Sequence, residues 1–334
     1  MRWCQRDPIR ADACKAAIVR ITSRNEHINL RPCRVKVKKH VRWCNETFNL
    51  SGNTILLIYG DAVKDLALKQ NRESSYEDMK GIKGFLIDLD GVLYVGDRPL
   101  EGAQAAIEYL MQKDYTFRFV SNTTRRCRKT IASRLSAMGF DFPEEYIFTP
   151  PLAAMAYMKK TGKRHCYLLT TGDVDRDFEQ VCAHDTSAKI DYVIVGDAGD
   201  MITYNSLNGA FRHLMDGAEL IALEKDRYWM AHDGLSLSAG PFVQALEYAT
   251  GKTATVMGKP SKAFFDLALH DMGLLHGQVA MIGDDIITDI GGAANAGMRS
   301  ILVRTGKFRE EVLKRATIKP TYIIDSIAQL EDIL

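Results

Sequence analysis

Phe85-Leu86-Ile87-Asp88-Leu89-Asp90-Gly91-Val92 is the stretch that decides how this chain is read. Phe85 to Ile87 is a short apolar run behind Gly84, suited to a strand buried on both faces. It ends in two carboxylates at i and i+2 and then a glycine that frees the backbone to turn. Such a pair fits a site outside the carboxyl edge of a parallel sheet. Taken alone, an Asp-x-Asp is a helix-starting aspartate beside a solvated one. The motifs that change this reading lie far downstream.

At 334 residues the chain has length for one large or two ordinary domains. Its 46% hydrophobic and 26% charged content is that of a globular protein. The net charge of +2 hides an asymmetry: Met1 to Lys80 carry 16 basic and 9 acidic residues, the remainder 28 and 33. A basic arm suggests nucleic acid or an anionic membrane, but its aromatics are few and its charges scattered, so neither partner is expected. No run reaches the roughly 20 apolar residues of a membrane helix, and Thr54 to Tyr59 is too short and too late for a signal peptide. Seven cysteines without a C-x-x-C or a zinc spacing read as reduced thiols of a cytoplasmic protein.

Residues 1–80 show a basic patch from Arg31 to His40 and one candidate strand at Thr54–Tyr59, with no sustained period. Met79-Lys80-Gly81-Ile82-Lys83 reads like the opening of a protein running into its first strand, so the arm is expected to be an appendage or an over-extended reading frame. From Gly84 the alternation is regular. Strands are expected at Phe85–Leu89, Phe117–Val120 and Ile147–Thr149, and helices at Gly102–Lys113, Arg125–Met138 and Pro151–Lys160. This βα alternation predicts an α/β fold with a Rossmann-like parallel sheet. Residues 163–254 read as an inserted α/β module with strands at Tyr167–Thr170, Tyr192–Val195, Leu220–Leu223, Tyr228–Ala231 and Leu235–Ser238. Its helices are expected at Val174–Val181, Tyr204–Met215 and Gly240–Thr250, with Tyr228 and Trp229 in its core. Thr255-Val256 should reopen the first sheet, so that residues 81–162 and 255–334 form the core. Helix Ser261–Met272, strands Val279–Ile282, Ser300–Arg304 and Tyr322–Ile324, and helix Ile327–Leu334 complete it.

Four strand-end motifs then stand in order: Asp88-x-Asp90, Ser121-Asn122-Thr123, Lys259, and Gly283-Asp284-Asp285 with Asp289. Each is weak alone: Ser121 suits a cap, Lys259 a surface lysine, Asp284-Asp285 an acidic loop. Together they describe one site, because carboxylates converging at a sheet edge repel unless a hard cation sits among them. Mg²⁺ takes oxygen ligands and keeps several waters, so two carboxylates and a carbonyl suffice. The readings open to such a site are a phosphatase working through an aspartyl-phosphate, a phosphotransferase using the same intermediate, and a receiver-type phosphoacceptor module. The last is disfavoured by the second Asp at i+2, the long insert and the lateness of Asp284. His232 beside Asp233 is the one histidine with a conceivable substrate role. Gly291-Gly292-Ala293-Ala294-Asn295-Ala296-Gly297 reads as a closely packed helix, not a nucleotide loop.

With these motifs in order, residues 81–334 resemble the haloacid dehalogenase superfamily of phosphatases. Asp233-Gly234-Leu235-x-Leu237 and Gly240-Pro241-Phe242-Val243 resemble the large α/β cap of the branch containing NagD and the 4-nitrophenylphosphatases. Val120-Ser121-Asn122-Thr123-Thr124, Gly258-Lys259-Pro260 and Met281-Ile282-Gly283-Asp284-Asp285 are similar to the phospholysine phosphohistidine inorganic pyrophosphate phosphatase group. Some animal members of that group lack the second Asp of the first motif, which this chain keeps as Asp90. The resemblance implies Mg²⁺ held by Asp88, the Asp90 carbonyl and Asp284, with Asp285 and Asp289 behind them. It implies Asp88 as nucleophile, Asp90 as acid and base, and Lys259 balancing charge. Ser121, Asn122, Thr123 and Lys259 would bind a small phosphorylated substrate. It further implies a cap that shelters the site and can mediate a homodimer.

Overall fold

The computed structural model describes residues 15–21, 31–34, 46–50, 53–59, 79–183, 188–231 and 234–334. The chain divides into two units, Met1–Asp78 and Met79–Leu334. In the first, β1 (Lys15–Ile21), β2 (Arg31–Arg34), β3 (Glu46–Leu50) and β4 (Asn53–Tyr59) form an antiparallel sheet in the order β2-β1-β4-β3. Only β4 was legible as a strand. β2 is Arg-Pro-Cys-Arg, the first four residues of the basic patch, and carries no hydrophobic alternation.

The second unit opens with β5 (Gly84–Asp88), followed by the two-residue strands β6 (Tyr94–Val95) and β7 (Arg98–Pro99), then α1 (Ala103–Gln112) and β8 (Thr116–Val120). Helix α2 (Arg128–Ala137), β9 (Ile147–Phe148) and α3 (Pro150–Thr161) come next. Two prolines open α3 and Gly162 closes it in the left-handed conformation, the usual punctuation of a helix. After an intervening module, α7 (Lys262–Met272) leads to β16 (Val279–Gly283), a π-helical turn at Ile286–Gly291 and α8 (Gly292–Asn295). Strand β17 (Arg299–Val303), α9 (Glu310–Arg315) and β18 (Tyr322–Ile324) end the alternation. The closing segment Ile327–Asp332 is 3₁₀, not α-helical.

The main sheet is six-stranded and wholly parallel, in the order β18-β17-β16-β5-β8-β9. Strand β5 is central and its side chains alternate between two apolar layers. Phe85 and Ile87 pack with Ile107, Leu110, Ile131 and Leu135 of α1 and α2, while Leu86 packs with Ala154, Phe264 and Phe265 of α3 and α7. Burial on both faces explains why β5 reads as a continuous apolar run.

The module between α3 and α7 builds a second parallel sheet from β10 (Cys166–Leu169), β11 (Tyr192–Val195), β12 (Glu219–Ala222) and β15 (Thr255–Val256). It also holds α4 (Asp175–Phe178), α5 (Tyr204–Met215), α6 (Gly240–Thr250) and a hairpin of β13 (Tyr228–Ala231) with β14 (Gly234–Leu237). One face of its sheet shares an apolar layer with α3 through Tyr192, Ile194 and Ile221; the other packs on α5 and α6 through Leu214, Val243 and Leu246. Three expectations need correction here. Thr255-Val256 pairs with β12, so the chain leaves this sheet only after Val256. Tyr228 and Trp229 are 58% and 38% exposed, not core. Cys166 and Cys182 form a disulfide across a Cα separation of 5.7 Å, a pairing that a sixteen-residue spacing does not announce; Cys127 is free and buried. Among the described residues no helix is long and apolar enough to cross a membrane. His232 and Asp233 lie outside the described residues.

Candidate active site

Parallel pairing brings distant motifs to one edge. Ile87 lies opposite Ile282 of β16, and Asp88 opposite Val120 of β8, so Asp88, Ser121 and Asp284 leave three neighbouring strands side by side. Lys259 comes from the loop before α7, and Asp289 from the π-helical turn after β16. The Lys259 ammonium is 3% exposed and donates to Asp88 Oδ1 and Asp289 Oδ1, both at 2.7 Å. Burial works against its charge, but the Asp289 and Asp88 carboxylates outweigh that and raise its pKa. Complete burial raises Asp289 as well, with Lys259 pulling it back.

One oxygen each from Asp88, Asp284 and Asp289 lie within 4.8 Å of one another. Asp284 is 1% exposed; its Oδ2 accepts the Lys307 N–H at 2.6 Å, while its Oδ1 is buried with no hydrogen-bond partner. Burial first and the Asp88 charge second push its pKa up to about 6. A buried carboxylate oxygen without a donor is costly, and a cation meeting it removes that cost. The all-oxygen donor set fits a hard divalent ion. Asp289 is already engaged on both oxygens, Oδ1 by Lys259 and Oδ2 by the Asp285 N–H at 3.2 Å. Asp285 Oδ1 caps the turn that follows, accepting from Ile287 and Thr288 N–H groups at 2.8 and 3.1 Å.

Asp90 stands apart from the three clustered carboxylates. It is exposed beside the bend at Gly91, and partial burial followed by the Asp88 charge holds its carboxyl above the usual carboxylate range. Ser121 Oγ accepts the Thr123 N–H at 3.2 Å, so the loop after β8 curls around that hydroxyl. Asn122 was expected at the substrate, yet its amide is engaged elsewhere. Nδ2 donates to the Lys259 carbonyl and Oδ1 accepts the Lys259 N–H, both at 2.8 Å.

Residues 85–182 match the family model described as haloacid dehalogenase-like hydrolase, and residues 256–330 match the HAD-hydrolase-like model. The chain is 44% identical over 230 residues to haloacid dehalogenase-like hydrolase domain-containing protein 2 of Bos taurus, covering 69% of this chain and 87% of that one. It is 38% identical over 262 residues to the human phospholysine phosphohistidine inorganic pyrophosphate phosphatase, covering 77% and 95% respectively. The chain belongs to the haloacid dehalogenase-like hydrolase family. In fold it is similar to the 4-nitrophenylphosphatase of Thermotoga maritima, with a TM-score of 0.70 and 30% identity over 76% of this chain and 97% of that one. Within this hydrolase family it is an enzyme of the phosphatase kind.

Three contributors of this hydrolase, Thr305, Gly306 and Lys307, were not singled out in the sequence. Gly91 and Gly306 both have positive φ, +87° and +59°, and a Cβ on either would collide with Asp284 Oδ2. Thr305 Oγ1 donates to the Gly91 carbonyl, tying the two turns together. Lys307 stands beside Asp285, with Nζ 3.9 Å from its Oδ2. The available signal was position: Arg304-Thr305-Gly306-Lys307 follows β17, at the same sheet edge as the other motifs.

Proposed function

We propose that this protein is a magnesium-dependent phosphatase that passes the phosphoryl group of a small substrate first to Asp88 and then to water. The observation that carries the reading is the setting of Asp88. One oxygen is held by Lys259 at 2.7 Å, and the carboxylate clusters within 4.8 Å of Asp284, whose buried Oδ1 has no hydrogen-bond partner. Asp88, Asp284 and the Asp90 carbonyl would hold Mg²⁺, with Asp285 and Asp289 behind them. The ion supplies charge neutralisation between the phosphoryl oxygens and the carboxylates.

The chain's own groups account for the rest. Asp88 attacks phosphorus while the leaving oxygen takes a proton from Asp90, whose raised pKa suits an acid working near neutral pH. Asp90 then takes a proton from the water that attacks the aspartyl-phosphate, releasing phosphate and restoring Asp88. Ser121 and the N–H groups around it receive the phosphoryl oxygens, Lys259 faces the same charge, and Asn122 holds the Lys259 main chain in register. The second sheet and its hairpin would act as a cap over this edge, with residues 163–256 as the module and 81–162 and 257–334 as the core.

The relatives' printed names include a phosphatase of phospholysine, phosphohistidine and pyrophosphate, and one of 4-nitrophenyl phosphate. We carry over only the common element, a small phosphorylated substrate. Purified protein with Mg²⁺ and p-nitrophenyl phosphate tests the reading. Turnover is expected in the native protein, abolished by chelation and by Asp88→Asn. Full activity in Asp88→Asn would remove Asp88 as the nucleophile.

A further inference from the structure

The loop between β12 and β13, Glu224-Lys225-Asp226, crosses over the lysine motif. Met257 N–H donates to the Ala222 carbonyl at 2.8 Å, and a Cβ on Gly258 would press on the Leu223 carbonyl. From there the loop is fastened on three sides. Buried Glu224 accepts from Ser238 Oγ at 2.6 Å, Ala239 N–H at 2.8 Å and Asp226 N–H at 2.5 Å. Lys225 Nζ bonds both carboxylate oxygens of Glu247, at 2.8 and 2.7 Å. The Asp226 carbonyl accepts the Gly240 N–H at 2.9 Å.

Both main-chain polar groups of Asp226 are therefore fixed, while its exposed carboxylate has no hydrogen bond or ion pair among the described residues. The charges that act on it are those of Lys307, Asp285 and Lys259, residues of the site described above. Partial desolvation holds it above the usual carboxylate range. A rigidly presented carboxylate over an anion-binding site penalises any substrate that brings more negative charge. It rewards one that brings a cation, so it discriminates in both directions.

We propose that Asp226 is a specificity-determining residue that selects phosphorylated substrates carrying a protonated amine close to the phosphoryl group. The ammonium would lie between the phosphoryl group and the Asp226 carboxylate. The proposal rests on the phosphatase reading above and names the substrate class of that same site.

The test compares kcat/KM for 2-aminoethyl phosphate, propyl phosphate and phosphoglycolate, which present a cation, a neutral chain and a carboxylate. The native enzyme should prefer the amine over the neutral chain by about tenfold, equivalent to about 1.4 kcal/mol. Asp226→Asn should bring that ratio near unity, and Asp226→Lys should favour phosphoglycolate. An unchanged amine-to-propyl ratio in Asp226→Asn overturns the proposal. So does an equal loss on all three substrates, which would mark Asp226 as a latch to Lys307. Turnover of p-nitrophenyl phosphate without any amine preference sinks this proposal alone. Absence of all magnesium-dependent turnover in the native protein removes the phosphatase reading and this proposal with it.

Discussion

Lys259 holds buried Asp289 and half-buried Asp88 with one ammonium, and replacing it should uncouple activity from folding. In Lys259→Met, Asp289 loses its cation but is already biased by burial toward the neutral acid, so it takes up a proton instead of remaining a buried charge. Asp88 loses the donor that orients it. Turnover of p-nitrophenyl phosphate should therefore fall on the order of 100- to 1,000-fold, the usual cost of removing a preorganised donor. The circular dichroism spectrum should stay that of the native protein. Activity within a few fold of native would show that Lys259 does not face the reacting charge. Asp88, Lys259, Asp284 and Asp289 were legible from sequence because each sits at a strand terminus or just before a helix. The engagement of Asn122 and Asp285 with backbone groups was not, since an amide or carboxylate beside a catalytic residue reads the same whether it faces substrate or main chain.

At the scale of elements, α2 shows what local sequence cannot supply. A helix was expected from Arg125, but α2 begins at Arg128 because the donors of its first turn are met from the second-sheet module. Asp173 accepts from Cys127 N–H at 2.8 Å and Thr130 Oγ1 at 2.5 Å, and Asp177 accepts from Arg128 N–H at 3.2 Å. These caps lie more than forty residues along the chain, so no capping pattern near Arg128 reveals them. Asp177 is 6% exposed, and burial pushes its pKa up to about 6 from 3.8. Its folded form binds a proton more tightly than the unfolded chain, so stability falls as pH rises from about 4 to about 6 and is level above that. Asp177→Asn keeps an acceptor and removes the titration. Its stability relative to native should improve by roughly 1–3 kcal/mol across that window, measured by urea unfolding at pH 4 and pH 7. A pH-independent difference would refute this account of Asp177. The strands of the main sheet were readable for the opposite reason: burial on both faces leaves an apolar run that needs no partner to be recognised.

The whole molecule is two units, and the family matches lie entirely within the second, at residues 85–182 and 256–330. Met79 and Ile82 are 6% and 7% exposed within the α1–α2 layer, and Ile82 N–H donates to the Met79 carbonyl. A chain shortened to begin at Met79 should therefore fold and hydrolyse p-nitrophenyl phosphate at the rate of the full chain. Loss of the native circular dichroism spectrum on that truncation would make the first unit part of the fold. The first unit stayed largely unread because antiparallel pairing of short, polar strands leaves little hydrophobic period in the sequence. The second sheet was legible as a separate module, but not its last strand, since Thr255-Val256 differs from a core strand only in which neighbour it pairs with.

That last strand ends three residues before Lys259, so the chain has almost no slack between the second sheet and the ammonium at the sheet edge. Any rocking of that sheet pulls on the Lys259 backbone. The Asn122 amide grips both sides of that backbone and works like a mooring, passing any such load into β8 so that the ammonium keeps its station.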